Sequence, residues 1–313
     1  MAEIWTMGEM LVEIMRIKEN SELYDVDYFQ GPYPSGAPAI FIDTVARLGH
    51  EAGIIGGVGA DDFGKCILDR LKRDKVDVSQ VVKDPDNSTG CAFVTYYSDG
   101  SRKFIFHLSN TPAVTAKAPC PDTLKDVRYF HVMGCSLFAR LDFAGEILKT
   151  VRMAKNMGAK ISFDPNIRKE LIKDEQAQVL VKELLSYTNI FLPGREELLL
   201  LTGCKDVEEA VSTCMEMPEM EILALKQGSK GCEVYTKDAV FRCGAYKINA
   251  VDATGAGDSF DGAFICGLAE GKSLEETMKM ASAAGALNTA SFGPMEGDIS
   301  PLTIKNMIKE ETL

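Results

Sequence analysis

Asn249-Ala-Val-Asp-Ala-Thr-Gly-Ala-Gly-Asp-Ser-Phe-Asp-Gly-Ala-Phe264 is the most informative stretch of the 313-residue chain. A short apolar approach leads into Gly255-Ala256-Gly257, and the pattern that follows predicts a helix from Ser259 to about Leu268. Small residues at a helix start let several backbone N–H groups converge on one point, and the helix dipole adds positive potential there. The result is an anion hole. Asp258 sits at its rim, where that potential is expected to keep the carboxylate ionised and able to take a proton from an attacking alcohol. A hole for a migrating charge beside a base is what phosphoryl transfer asks of a protein. The residues alone leave a second reading equally open, a Gly-rich turn whose Asp258 merely caps the helix, since aspartate is a favoured N-cap.

Working outward, short β-branched runs alternate with amphipathic segments. Ile54–Val58, Tyr129–Met133, Ile161–Asp164, Ile190–Leu192 and Ile222–Lys226 read as strands; Ile40–Leu48, Gly64–Arg73, Phe143–Met157, Ala177–Ser186 and Ser273–Thr289 read as helices. That rhythm predicts an α/β fold, a mostly parallel sheet with helices on both faces, and ligands bound beyond the carboxyl ends of its strands. Residues 9–33 and 88–110 break the rhythm with period-two patterns and no crossover helix, and Cys91–Tyr97 and Ser101–Leu108 flank the turn Ser98-Asp99-Gly100. They are expected to form a small β-layer projecting as a lid. A layer with one uncovered apolar face predicts a homodimer through it.

The net charge of −12 argues against a nucleic-acid surface, where a basic footprint supplies most of the affinity. It leaves an anionic ligand open, because a phosphate site needs only local N–H groups and one or two cations. No run approaches the length of a membrane span, and no signal segment opens the chain, so a cytoplasmic location is expected. Nine scattered cysteines without a CxxC pair read as reduced thiols. Gly59-Ala-Asp-Asp-Phe-Gly-Lys65-Cys66 nearly spells a Walker A loop, but two carboxylates would face the phosphates and Cys66 lacks the metal-binding hydroxyl. Gly57 and Gly59 open a dinucleotide fingerprint that fails at Asp62, and the three histidines are isolated.

Asp252-Ala-Thr-Gly-Ala-Gly-Asp258 resembles the DTxGAGD signature of the ribokinase-like, PfkB-type carbohydrate kinases. Six further segments agree in order: Ser35-Gly36-Ala-Pro-Ala39, Ala46-Arg-Leu-Gly49, Gly59-Ala-Asp-Asp-Phe-Gly64, Phe163-Asp-Pro-Asn-Ile-Arg168, Glu196-Glu197 before Leu201-Thr-Gly203, and Lys226-Gln-Gly-Ser-Lys-Gly231. The resemblance spans residues 1–313 as a single ribokinase-like domain. It implies an ATP-dependent sugar kinase using Mg2+, with Asp258 as base and the backbone of Gly255, Ala256 and Gly257 as the anion hole. Lys226, Gly228, Ser229 and Gly231 match the nucleotide-binding loop, together with Asn288. Glu197 matches the acid of an NxxE motif that organises Mg2+ through water, although Gly194 stands at the Asn position. Asp252, Thr254, Ser291 and Gly293, with Asn288, resemble loops that bind a monovalent cation, usually K+.

On the substrate side, Gly8 and Glu9 match the opening of fructokinase-like and 2-keto-3-deoxygluconate kinase-like members. Ser35-Gly36 and Ile40 replace a Gly-Gly pair and an Asn, and Glu13 replaces a shorter acid that grips sugar hydroxyls; it either reshapes the pocket or points to solvent. Arg168 matches an arginine directed at the acceptor, where a bidentate guanidinium suits a carboxylate or a diol. Sugar-acid kinases add a lid arginine, but His107 holds the equivalent position here, as a ligand or as a plain lid-edge residue. A neutral ketose of fructose or tagatose type is therefore favoured over 2-keto-3-deoxygluconate. The non-enzyme alternative is a sugar-binding regulator that kept the fold and lost turnover. Arg168→Ala is expected chiefly to raise the sugar KM, and an unchanged KM in steady-state kinetics would remove that residue from the acceptor site.

Overall fold

A computed structural model describes residues 2–167 and 175–310. Nine strands form the main sheet, in the spatial order 240–243, 232–235, 222–226, 190–191, 160–164, 129–133, 4–7, 52–59 and 77–84. The seven from Ile222–Lys226 to Asp77–Asp84 run parallel; Cys232–Tyr235 and Val240–Cys243 add an antiparallel hairpin at one edge. Chain order reverses at the first strand: one branch runs from Ile4–Met7 to Ala52–Gly59, the other begins at Tyr129–Met133. In an open α/β sheet that reversal opens a crevice beyond the carboxyl ends. Two apolar clusters cover the faces. Helices 37–47, 62–73, 256–269 and 274–289 supply one, and helices 141–156, 175–187, 195–202 and 207–215 supply the other.

A separate four-stranded sheet takes the order 29–35, 11–16, 90–96 and 102–107. Leu11–Arg16 is antiparallel to Phe29–Ser35 and parallel to Gly90–Tyr96, while Gly90–Tyr96 and Arg102–His107 form a hairpin around Gly100, whose φ of 81° suits its turn. This second sheet joins the main one through short links. Residues 8–10 follow strand Ile4–Met7, and Gly36 leads from Ser35 directly into helix Ala37–Arg47. The near-Walker segment is structural, because Asp61 caps helix Asp62–Arg73 by accepting from Gly64 N at 2.8 Å, and its other oxygen accepts from Thr89 N at 2.8 Å.

Helix Ala256–Ala269 begins three residues earlier than its periodicity suggests, and residues 258–267 are all buried. A helix apolar all round belongs in an interior. It lies between helices 37–47 and 274–289 in seams of small residues: a Cβ on Gly262 would come within 2.8 Å of Phe41 O, and one on Gly267 within 2.8 Å of Thr277 Oγ1. The helix therefore cannot slide or roll without backbone collisions, and its N-terminus is held at the crevice. Among the described residues no helix is long and apolar enough to cross a membrane.

Candidate active site

The carboxyl ends of the strands converge on the start of helix 256–269. Gly255 is its N-cap in the left-handed conformation, φ 79°, and no side chain caps the helix. Aspartate as N-cap is thereby set aside, because Asp258 is the third helical residue. A Cβ on Gly255 would lie 2.4 Å from Pro294 O, so the turn needs glycine on two counts. The first N–H groups of any helix have no acceptor four residues back, and those of Gly257 and Asp258 stand at this end, while Ala256 N donates to Ala253 O at 3.4 Å. A cavity of about 380 Å³ opens on it, lined by Ala256 and Gly257 from the helix and by Lys226, Gly228, Ser229 and Gly231 from the end of strand 222–226. Tyr246, Ile248 and Phe260 give its remaining wall an apolar character.

Lys226 Nζ donates to Asp164 Oδ2 at 2.7 Å and to both oxygens of Asp261, at 3.0 and 3.2 Å. It therefore ties the ends of strands 160–164 and 222–226 to helix 256–269. Burial opposes its charge, but Asp164 and Asp261 prevail and keep it protonated. Burial also pushes Asp261 well up, whereas for Asp164 the Lys226 ammonium outweighs burial and holds the carboxyl below its usual value. Lys226 is thus shared between two acids that shift in opposite directions, Asp164 down and Asp261 up. Lys226 was expected only as a nucleotide-loop residue. Asp164 and Asp261 were not expected to act; an acid three residues after Asp258 on an apolar helix was the available signal.

Asp258 is 8% exposed. Burial, then repulsion from Asp164, raises its pKa to about 8, against the pull of Lys226; Glu9 and Glu13 add to the repulsion. The expectation of an ionised carboxylate is thus corrected: in the absence of ligand the helix dipole is outweighed by desolvation and by a site rich in acids. Asn166 donates to Asp258 Oδ1 at 3.2 Å. Glu13 is buried and accepts from Ser35 Oγ at 2.7 Å, so it does not point to solvent. Gly36 (φ 105°) lies where a Cβ would come within 2.5 Å of Glu9 O, and Glu9 itself bonds Ser136 Oγ and, at 3.0 Å, Cys135 Sγ.

Other expected residues lie farther from the cavity. Glu197 accepts from Gly194 N at 2.7 Å and Ile167 N at 2.8 Å, so both its oxygens already hold backbone. Asn288 does not line the cavity; its Nδ2 donates to Thr254 O at 2.7 Å and its buried Oδ1 has no partner among the described residues. Asp252 accepts from Thr254 N and Oγ1 through one oxygen and from Gly293 N, at 3.1 Å, through the other; Ser291 is half-buried nearby in sequence. His107 is exposed on the edge strand, its ring 6.0 Å from Phe93. A basic lid residue was instead missed at the opposite end of that strand, where Arg102 Nη1 donates to Thr254 Oγ1 at 2.9 Å. Arg168 lies outside the described residues. Among the described residues no group of three or more His, Cys, Asp or Glu is arranged to hold a metal ion.

A doubly wound sheet with a glycine turn at the mouth of a 380 Å³ cavity is an arrangement suited to a phosphate-bearing ligand. Residues 1–300 match the family model described as pfkB family carbohydrate kinase, and the chain belongs to that family. It is a kinase with a sugar hydroxyl as acceptor. Fructokinase-1 of Oryza sativa subsp. japonica is 33% identical over 92% of this chain and 92% of its own length. A crystal structure titled "putative Ribokinase II in complex with ATP and Mg+2", from E. coli, superposes with a TM-score of 0.94 at 38% identity, covering 99% of this chain and 100% of that one. A Vibrio cholerae fructokinase double mutant with fructose, ADP and potassium ion bound shares the fold at 23% identity and a TM-score of 0.81, with 98% of each chain covered.

The buried acid has a stability signature. An Asp with a folded pKa of about 8 and an unfolded value near 3.8 costs the fold nothing below about pH 4. Between pH 4 and 8 it removes stability at about 1.4 kcal/mol per pH unit, because the unfolded chain ionises first. Asp258→Asn should therefore have a Tm close to wild type at pH 4 and increasingly above it towards pH 8. Thermal melts over that range check this; a constant difference would mean that Asp258 is ionised in the folded protein.

Proposed function

We propose that the chain is an ATP-dependent ketose kinase acting on fructose or a near relative, with Asp258 as the catalytic base. The observation that carries this reading is a carboxyl with a pKa of about 8 in the first turn of a helix whose first two residues, Ala256 and Gly257, line the 380 Å³ cavity. A base works best with a pKa close to the working pH. In this reading the adenine end of the nucleotide rests on the apolar wall at Tyr246, Ile248 and Phe260, and the phosphates pass Gly228, Ser229 and Gly231 towards the Gly255–Gly257 turn. Lys226 reinforces the positive end of the turn, since a Cβ on Gly257 would stand 3.7 Å from its Nζ. The sugar lies between Asp258 and the second sheet, near Glu13, Ser35 and Gly36, with Arg168 and His107 the further candidates. That sheet acts as the lid that keeps water from the phosphoryl group. Similarity to the rice fructokinase favours the ketose over a sugar acid.

Mg2+ bound with the nucleotide would neutralise phosphate charge, and Glu197, committed to backbone, would reach it only through water. A monovalent cation fits the segment around Asp252, Thr254, Ser291 and Gly293, because the unpartnered Asn288 Oδ1 is a buried oxygen of the kind such ions bind. The enzyme is assigned to the cytoplasm. Ile105, 45% exposed on the edge strand of the lid and paired with Phe93, marks the face through which a homodimer would form.

ADP formation over a panel of ketoses, pentoses, sugar acids and nucleosides tests the reading: turnover should be highest with a ketose, turnover with sugar acids alone would move the assignment to that class, and none at all would favour the binding regulator. Asp258→Asn should lower kcat by about 10²–10⁴ with nucleotide affinity nearly intact. In the wild type, kcat/KM for sugar should fall about tenfold per pH unit below about pH 8, since only the ionised carboxylate accepts a proton. Asp164→Asn removes a repulsion that raises Asp258, so the same limb should move to lower pH. A profile flat from pH 6 to 9 would eliminate Asp258 as the base.

A further inference from the structure

The second sheet has a hinged end and a free end. Leu11 pairs with Ser35 on one side and Gly90 on the other, beside the links to the main domain, and His107 lies at the same end. Tyr96 and Arg102, paired across the hairpin, lie at the other end. Both reach the same atom of the main domain. Arg102 Nη1 donates to Thr254 Oγ1 at 2.9 Å, and Tyr96 OH lies 3.2 Å from Thr254 Oγ1 and 3.3 Å from Asp252 Oδ2. Thr254 immediately precedes Gly255, the left-handed residue that aims the helix start into the cavity. Its carbonyl is held by Asn288 and its hydroxyl donates to Asp252, so a pull on the hydroxyl is passed to the turn without slack. A third strand joins in: Tyr33 and Tyr96 both contact Phe292, with ring centroids 6.0 and 6.2 Å away, next to Gly293 N on Asp252 Oδ2.

The hydrogen bonds from Tyr96 and from Arg102, an exposed residue of the edge strand, end on Thr254, one residue from the turn at Gly255. Burial, then the Asp252 charge, raises the Tyr96 phenol, which keeps it a neutral donor. We propose that Tyr96 and Arg102 are positioning residues for phosphoryl transfer. They fasten the free end of the second sheet to Thr254, so that closure over the sugar and alignment of the Gly255 turn occur together. The inference rests on the reading of residues 255–257 as the phosphoryl site.

The test uses the full chain with D-fructose and MgATP, comparing wild type with Tyr96→Phe, Arg102→Met and Arg102→Lys. A misplacement on the order of 1 Å in such a turn costs about 10²-fold in rate, so Arg102→Met should lose about 10- to 100-fold in kcat, with the KM for ATP and the Tm near wild type. Arg102→Lys should recover part of that loss. Tyr96→Phe should raise the ATP hydrolysed per sugar phosphorylated, because an unlatched lid admits water. A kcat within twofold of wild type in all three variants would overturn the proposal. So would a kcat loss matched by falls in Tm and nucleotide affinity that lysine does not rescue, since that is the mark of a merely structural contact. If the wild type itself forms no ADP with fructose or any sugar of the panel, the phosphotransfer reading of the site fails and takes this inference with it.

Discussion

A single ammonium group makes the centre of this protein physically tolerable. Glu9, Glu13, Asp164, Asp258 and Asp261 are all buried around one crevice, and an isolated carboxylate in such surroundings would sooner take up a proton than remain charged. Lys226, bonded at once to Asp164 and Asp261, supplies the opposing charge and draws together two strand ends and one helix start. Replacing it would leave buried acids without their counter-charge, a larger penalty than the value of the pair itself. The same arrangement sorts the acids into roles. Asp164 is held below its usual value, Asp261 is pushed above it, and Asp258 is left near the pH at which it can gain or lose a proton.

Geometry completes what charge begins. The helix carrying Asp258 and Asp261 is buried from 258 to 267 and is wedged between two others through glycines at 262 and 267, where an added Cβ would stand 2.8 Å from Phe41 O and Thr277 Oγ1, and at 285, where it would stand 3.0 Å from Ala256 O. Rigid seams of this kind are how a fold holds a reacting group to within a fraction of an ångström. The family relationship and the physical picture meet here, since the turn that carries the resemblance is also the one that the packing immobilises.

Much of this was legible in the residues. Five of the seven parallel strands were found, because buried runs such as Tyr129–Met133 and Ile222–Lys226 are short, β-branched or aromatic, and bounded by polar turns; Ile4–Met7 and Asp77–Asp84 were not. The glycine turn and Asp258 were visible because small residues before a helix have few other uses. What escaped depended on three-dimensional neighbours. The helix start moved from 259 to 256 because Ala256 and Gly257, poor in periodicity, become helical once Gly255 turns left-handed. The raised pKa of Asp258 follows from burial first and then from Asp164, Glu9 and Glu13, which lie far away in the chain. Arg102 was not legible because the family resemblance points to position 107, and only the register of the hairpin shows which end of the strand meets the 252–254 loop.

The elevated Asp258 carboxyl carries a thermodynamic corollary. At neutral pH the resting protein stores a proton there, and any ligand that requires the carboxylate must expel it into the medium. Occupancy of the crevice is thus linked to buffer chemistry, and the heat evolved on titration contains the ionisation enthalpy of whatever base receives that proton.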